Sequence, residues 1–177
     1  MKTILALAIA FATLLTGVPL LAALTVVAAP VKAPDLCGPA ILDQAEGKPS
    51  AEQIANAREV ARAVHDAHLD QQALLVTLVA AVGESDLVNL DHGDAAGPDS
   101  RGILQQRDPW GTLAQRMDPY HSATSFLLGP RHDRTGGLIT VDGWQTMPLT
   151  QAIHQVQRNA DPDHYTRFEP RARQIAA

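Results

Sequence analysis

The chain has one cysteine, Cys37, so no intrachain disulfide can hold it together. Aromatic side chains are scarce as well: three Phe, two Trp and two Tyr in 177 residues. Any core must therefore be built mainly from aliphatic side chains. Lysine occurs only at Lys2, Lys32 and Lys48, no basic cluster appears, and the net charge is −5. Nucleic-acid binding has no electrostatic support from such a chain. The surplus of Arg over Lys and the abundance of Ala point to a GC-rich bacterial source. Seven histidines are present, but no His-Glu-x-x-His pattern and no cysteine partner accompany them. His65 and His68, one turn apart on one helix, read as surface or half-buried groups rather than metal ligands. Neither a metal nor a cofactor is expected. Only 138–141 reads as a strand, and there is no internal repeat and no second domain.

What the chain does have is a long apolar start. After Met1-Lys2, residues 3–30 are almost uninterruptedly hydrophobic, the pattern of a secretory signal or a membrane anchor. As a helix, residues 4–29 would reach about 39 Å, enough to cross a bilayer. The length favours an anchor, whereas Val26-Val27-Ala28 offers a cleavage site after Ala28. Either way the chain is expected to be exported and to meet a membrane only through this segment. Residues 31–49 form a Pro-, Ala- and Gly-bearing linker in which Cys37 is a spare thiol, since Pro34-Asp35-Leu36 is no lipobox. Residues 50–177 are sufficient for one domain with a core of its own.

That domain reads as mainly α. Ser50 and Gln53 form a capping box that opens a helix over 51–65. Ile54, Ala57, Ala61, Val64 and His68, with Val60 beside them, mark its inward face. Asp70 caps a second helix over 71–82, where Leu74, Leu75, Leu78, Val79 and Val82 make a wide apolar face and the rest is nearly uncharged. This helix should be buried on most sides. A turn-rich loop spans 89–100. Asp118-Pro119 starts a helix over 119–128, with Pro at its first position. Residues 129–137 form a polar loop, and Thr150 is the expected cap of a last helix over 151–157.

Glu84 stands at the mouth of the apolar second helix. Glycosidic bonds break when an acid protonates the leaving oxygen while positive charge builds at the anomeric carbon. Such an acid must keep its proton near neutral pH, which requires an apolar, desolvated setting. Leu78, Val79 and Val82 supply one, and the negative end of the helix dipole acts in the same direction.

The residues around Glu84 give this a family context. Glu84-Ser85, a Gly- and Asp-rich loop with Ser100, then Gly102-Ile103-Leu104-Gln105 resembles the signature of the lytic transglycosylases of the lysozyme-like superfamily. Asp118-Pro119, followed by Ala123 and Phe126-Leu127, resembles that family's next motif. The resemblance implies a lysozyme-like helical domain that cleaves peptidoglycan glycan strands. It implies that Glu84 acts as general acid and then base, that Ser85 orients the acid or the substrate, and that Gln105 lines the glycan groove. The product would be a 1,6-anhydro sugar, formed without a water nucleophile. In the family's late motif Asn159-Ala160 is retained, while Arg158 and Asp161 stand where tyrosine and glycine are usual. Tyr165 is the residue that would take over substrate contact, beside Asn159. A wall peptidase or a component of a secretion or conjugation machine is the implied partner.

Other groups compete for a role. Asp91, Asp94 and Asp99 offer a second carboxylate, which a hydrolytic muramidase would use to position water; the plainer reading is a turn whose aspartates bind their own backbone. Trp110, Tyr120, Trp144 and Tyr165 are candidates to stack on sugar rings, with at least half of them expected in the core. His132 has no evident serine partner, and 130–134 reads as a solvated insertion. A non-catalytic glycan-binding or assembly module is the alternative of a different class.

Overall fold

Ser50 and Asp70 start the two helices on which the rest is assembled. A computed structural model of the chain describes residues 47–177. The apolar leader 1–30, Cys37 and nearly all of the linker lie outside the described residues. Helix α1 (Ala51–Asp66) opens on the expected capping box: the Gln53 amide N–H donates to Ser50 Oγ, and the Ser50 amide donates to Gln53 Oε1. Helix α2 (Gln71–Ser85) starts where Asp70 Oδ1 accepts the amides of Gln72 and Ala73. Then come α3 (Leu113–Arg116), α4 (Pro119–Leu128), α5 (Leu149–Gln157) and α6 (Glu169–Ala176). Short 3-10 turns occupy Asp108–Trp110, Leu138–Thr140 and His164–Phe168. Among the described residues there is no strand, only an isolated bridge between Arg101 and Gln106. None of the described helices is long and apolar enough to cross a membrane.

The domain is thus mainly helical, with α2 at its centre. Residues 75–82 of α2 are all buried, because α1, α4, α5, α6 and the His164–Phe168 turn all pack against it. Val60, Val64, Phe126, Leu127, Ile153 and Tyr165 close the core around it. Three aromatic residues, Phe126, Trp144 and Tyr165, suffice in the core because Leu, Val, Ile and Ala fill the rest, as the composition requires.

Several details depart from the sequence reading. The inner face of α1 is Gln53, Asn56, Val60, Ala63 and Val64, rotated from the expected one; Ile54 and His68 are exposed. The cause is polar. Gln53 Nε2 donates to the Asp86 carbonyl at 2.8 Å and Asn56 Nδ2 to the Leu87 carbonyl at 2.9 Å. Both residues face inward because the chain leaving α2 has buried carbonyls to satisfy.

Residues 138–141, read as a strand, form a 3-10 turn instead. Gly137 turns the chain with φ 71°, Leu138 is fully buried, and the Val141 amide bonds back to the Leu138 carbonyl. Thr150 does not cap α5, which begins at Leu149 after Pro148; its hydroxyl donates to the Pro162 carbonyl at 2.7 Å. The 129–137 loop is tied down by a partner that sequence reading missed. Ser125 Oγ and His132 Nε2 lie 2.8 Å apart, and the His132 ring packs on His121 with centroids 4.2 Å apart. Ser125 is a fully buried residue of α4, so the pair anchors the loop to that helix. Helix α6, unanticipated, is fastened by buried Arg171, whose guanidinium donates to the Gly47 carbonyl and, at 3.2 Å, to Gln53 Oε1.

Candidate active site

Helix α2 runs on past Val82 and carries Glu84 in its last turn. Asp86 then ends it in left-handed conformation, its amide bonding back to the Ala81 and Val82 carbonyls. One oxygen of Glu84 is held: the Tyr165 hydroxyl donates to Oε1. The other, Oε2, has no hydrogen-bond partner among the described residues. Burial, opposed by the Tyr165 hydrogen bond and assisted by the negative charge of Asp94, holds the Glu84 carboxyl above its ordinary range. Burial, reinforced by the neighbouring Glu84 charge and the hydrogen bond to it, pushes the Tyr165 phenol up, so Tyr165 stays protonated and keeps donating.

Tyr165 reaches Glu84 because α2 carries a glycine beside it. A Cβ on Gly83 would lie 2.6 Å from Tyr165 Cδ1 and 3.1 Å from Phe168 Cδ2. The glycine thus allows the His164–Phe168 turn to lie against the helix, with Tyr165 fully buried. The Thr150 bond to Pro162 fixes the segment leading into that turn.

Glu84 opens into a groove of about 760 Å³ whose lining includes Asp94, Ser100, Gln105, Trp110, Arg158, Asn159 and Tyr165. Gln105 is on its wall with left-handed backbone, φ 44°, and its side-chain amide donates to the Gly102 carbonyl at 3.1 Å. Gly102 itself has φ 78°, and a Cβ there would lie 2.0 Å from the Arg116 carbonyl oxygen. Arg116 braces this wall from behind. Its buried guanidinium donates to the carbonyls of Gly111 and Gln106 at 3.0 and 3.1 Å and is paired with Asp108. Asn159 is on the opposite stretch, its side chain engaged with His154 Nδ1 and the Asp161 carbonyl.

Ser85 is placed differently. It is absent from the groove lining; its hydroxyl donates to the Ile103 carbonyl at 2.9 Å and, less closely, to that of Ala81 at 3.2 Å. It ties the end of α2 to the segment bearing Gln105. Of the three loop aspartates, Asp91 is exposed and outside the lining, whereas Asp99 is on the lining but paired with Arg107 at 2.7 Å and hydrogen-bonded by the Asp108 amide. Asp94 lines the groove, its Oδ1 accepting the Ala96 and Gly97 amides at 2.9 and 2.8 Å. Among the aromatic candidates, Trp144 is in the core, and Tyr120 packs against it with Arg62 stacked 4.1 Å above its ring. Trp110 and Tyr165 are the two at the groove. Gln106, Gln157 and Arg158 also line it and were not expected there; Gln157 donates to the Leu104 carbonyl at 3.3 Å, tying α5 to the opposite wall. No group of three or more His, Cys, Asp or Glu side chains able to hold a metal occurs among the described residues.

A polar groove with one largely desolvated carboxyl, its pKa raised by burial, is suited to acid chemistry on a polar, uncharged bond such as an acetal. No family model matches the chain, and no curated protein matches it.

Proposed function

We propose that this is a lysozyme-like lytic transglycosylase that cleaves the glycan strands of peptidoglycan outside the cytoplasmic membrane. The observation that carries this reading is the state of Glu84. It is a carboxyl whose pKa burial raises, held at Oε1 by Tyr165, on the lining of a groove large enough for several sugar rings. In this scheme Glu84 Oε2–H protonates the leaving glycosidic oxygen and the C1–O bond breaks. The C6 hydroxyl of the muramic ring then bonds to C1 and returns its proton to Glu84, leaving a 1,6-anhydro end. One carboxyl serves both steps, so no second activated group is needed. Gln105, Asn159 and Trp110 would hold the strand. The apolar leader supports export, and the family resemblance around Glu84 supports the substrate.

A hydrolytic muramidase is the second reading, and one observation favours it. Asp94 lines the same groove, and its charge is felt by Glu84. A carboxylate so placed could activate a water on the far side of the sugar. The test common to both is clearing of purified sacculi by the full-length protein and by Glu84→Gln. Clearing by the wild type that falls by at least about a hundredfold in the variant supports an acid at Glu84. Strand binding without release by either would leave a glycan-binding module.

A further inference from the structure

Arg158 ends α5 in left-handed conformation, φ 55° and ψ 34°. Glycine or asparagine is the inexpensive residue at that position, and a side chain with a Cβ is strained there. The backbone around it is nonetheless fixed. The Arg158 amide donates to the His154 carbonyl at 2.8 Å, Gln157 is tied to Leu104, and Asn159 to His154. The guanidinium is exposed on the groove lining and has no hydrogen bond or ion pair among the described residues. The nearby Asp161 makes no ion pair with it; its Oδ1 accepts the Asp163 amide at 2.9 Å. The other arginine on the lining, Arg107, is already matched to Asp99. The groove thus presents one uncommitted cation on a strained, fixed stretch of backbone.

Resting on the glycan-strand reading above, we propose that Arg158 is a specificity-determining residue that pairs with a carboxylate carried by the strand. It would favour an acidic glycan over a neutral one of the same length. Two sources of that carboxylate exist in the substrate class: the lactyl group of a muramic residue stripped of its peptide, and the carboxylates of an attached peptide stem. Both offer the planar two-oxygen acceptor that a guanidinium binds in bidentate fashion.

The experiment measures binding to the full-length Glu84→Gln protein, in which strands are not consumed. Three probes of equal sugar number are compared: a neutral N-acetylglucosamine oligomer, a peptide-free alternating glucosamine–muramic oligomer, and the same oligomer bearing tetrapeptide stems. At least one acidic probe is expected to bind about five- to tenfold more tightly than the neutral one, a preference that shrinks as salt is raised. Tight binding of the peptide-free probe assigns the lactyl carboxylate; tight binding of the stem-bearing probe alone assigns the stem. Adding Arg158→Gln should abolish the preference, and Arg158→Lys should retain part of it. Equal affinity for all three probes, or loss of the same factor for neutral and acidic probes in Arg158→Gln, overturns the proposal. Because binding is read without turnover, this result is independent of whether the wild type cleaves strands. A preserved preference with no cleavage would leave the Arg158 site intact and remove the catalytic reading.

Discussion

The Tyr165 hydroxyl donates to Glu84 Oε1 across 81 residues of sequence, and Gly83 is the residue that lets the two meet. The protonated phenol donates to Glu84, so it stabilises the ionised carboxylate while burial destabilises it. Burial wins, and the carboxyl stays above its ordinary value of 4.5.

Tyr165→Phe removes the stabilising donor and leaves the burial. The Glu84 pKa should rise further, and the alkaline limb of the activity profile, where the acid loses its proton, should move to higher pH. Stability should fall by about 1–2 kcal/mol in urea denaturation, the loss of one buried hydrogen bond. A limb that stays in place or moves to lower pH would contradict the pairing.

Glu84 should also weaken the fold it serves. Below pH 4.5 the carboxyl is protonated in both folded and unfolded chains and adds no pH dependence. As pH rises through the interval between 4.5 and the raised folded value, the unfolded chain releases its proton while the folded one keeps it. Wild-type stability therefore falls across that interval relative to Glu84→Gln, which has nothing to ionise. Denaturation of both proteins at pH 4 and pH 8 checks the sign: the Gln variant should gain on the wild type at the higher pH.

Gly83→Ala sets two effects against each other. Alanine is favoured over glycine inside a helix by about 1 kcal/mol. Here its Cβ would come within 2.6 Å of Tyr165, and overpacking of this kind typically costs about 1–3 kcal/mol. The variant should be less stable than wild type by denaturant melting and should lose activity as Tyr165 is displaced. A more stable, fully active variant would show that the turn bearing Tyr165 yields freely.

Much of this arrangement was legible in the sequence because its signals are local. The Ser50–Gln53 capping box, the Asp70 cap, the nearly uncharged run of α2 and the Asp118-Pro119 start all act within one helical turn, and all appear where they were read. Glu84 and Gln105 line one groove, a placement that only the family resemblance had implied. What stayed hidden depends on distant partners. Gln53 and Asn56 look like solvent-facing residues until the carbonyls of Asp86 and Leu87 are placed beside them. Nothing local marks Arg116 or Arg171 for burial, yet each is buried against acceptors supplied from elsewhere in the chain. The short apolar run 138–141 has no period by which to separate strand from turn. Gly83 did carry a usable signal, being the one glycine in an otherwise close-packed helix, where a neighbouring ring needs the space.

The central claim is that Glu84 alone, as acid and then base, cleaves the strand without water. Digestion of sacculi by the full-length protein in heavy-oxygen water, followed by mass spectrometry of the released fragments, tests it most directly. Wild type should release 1,6-anhydro ends carrying no label, Glu84→Gln should lower release by at least about a hundredfold, and Asp94→Asn should have a far smaller effect. Labelled reducing ends, lost together with activity in Asp94→Asn, would contradict the account and make Asp94 the residue that activates water.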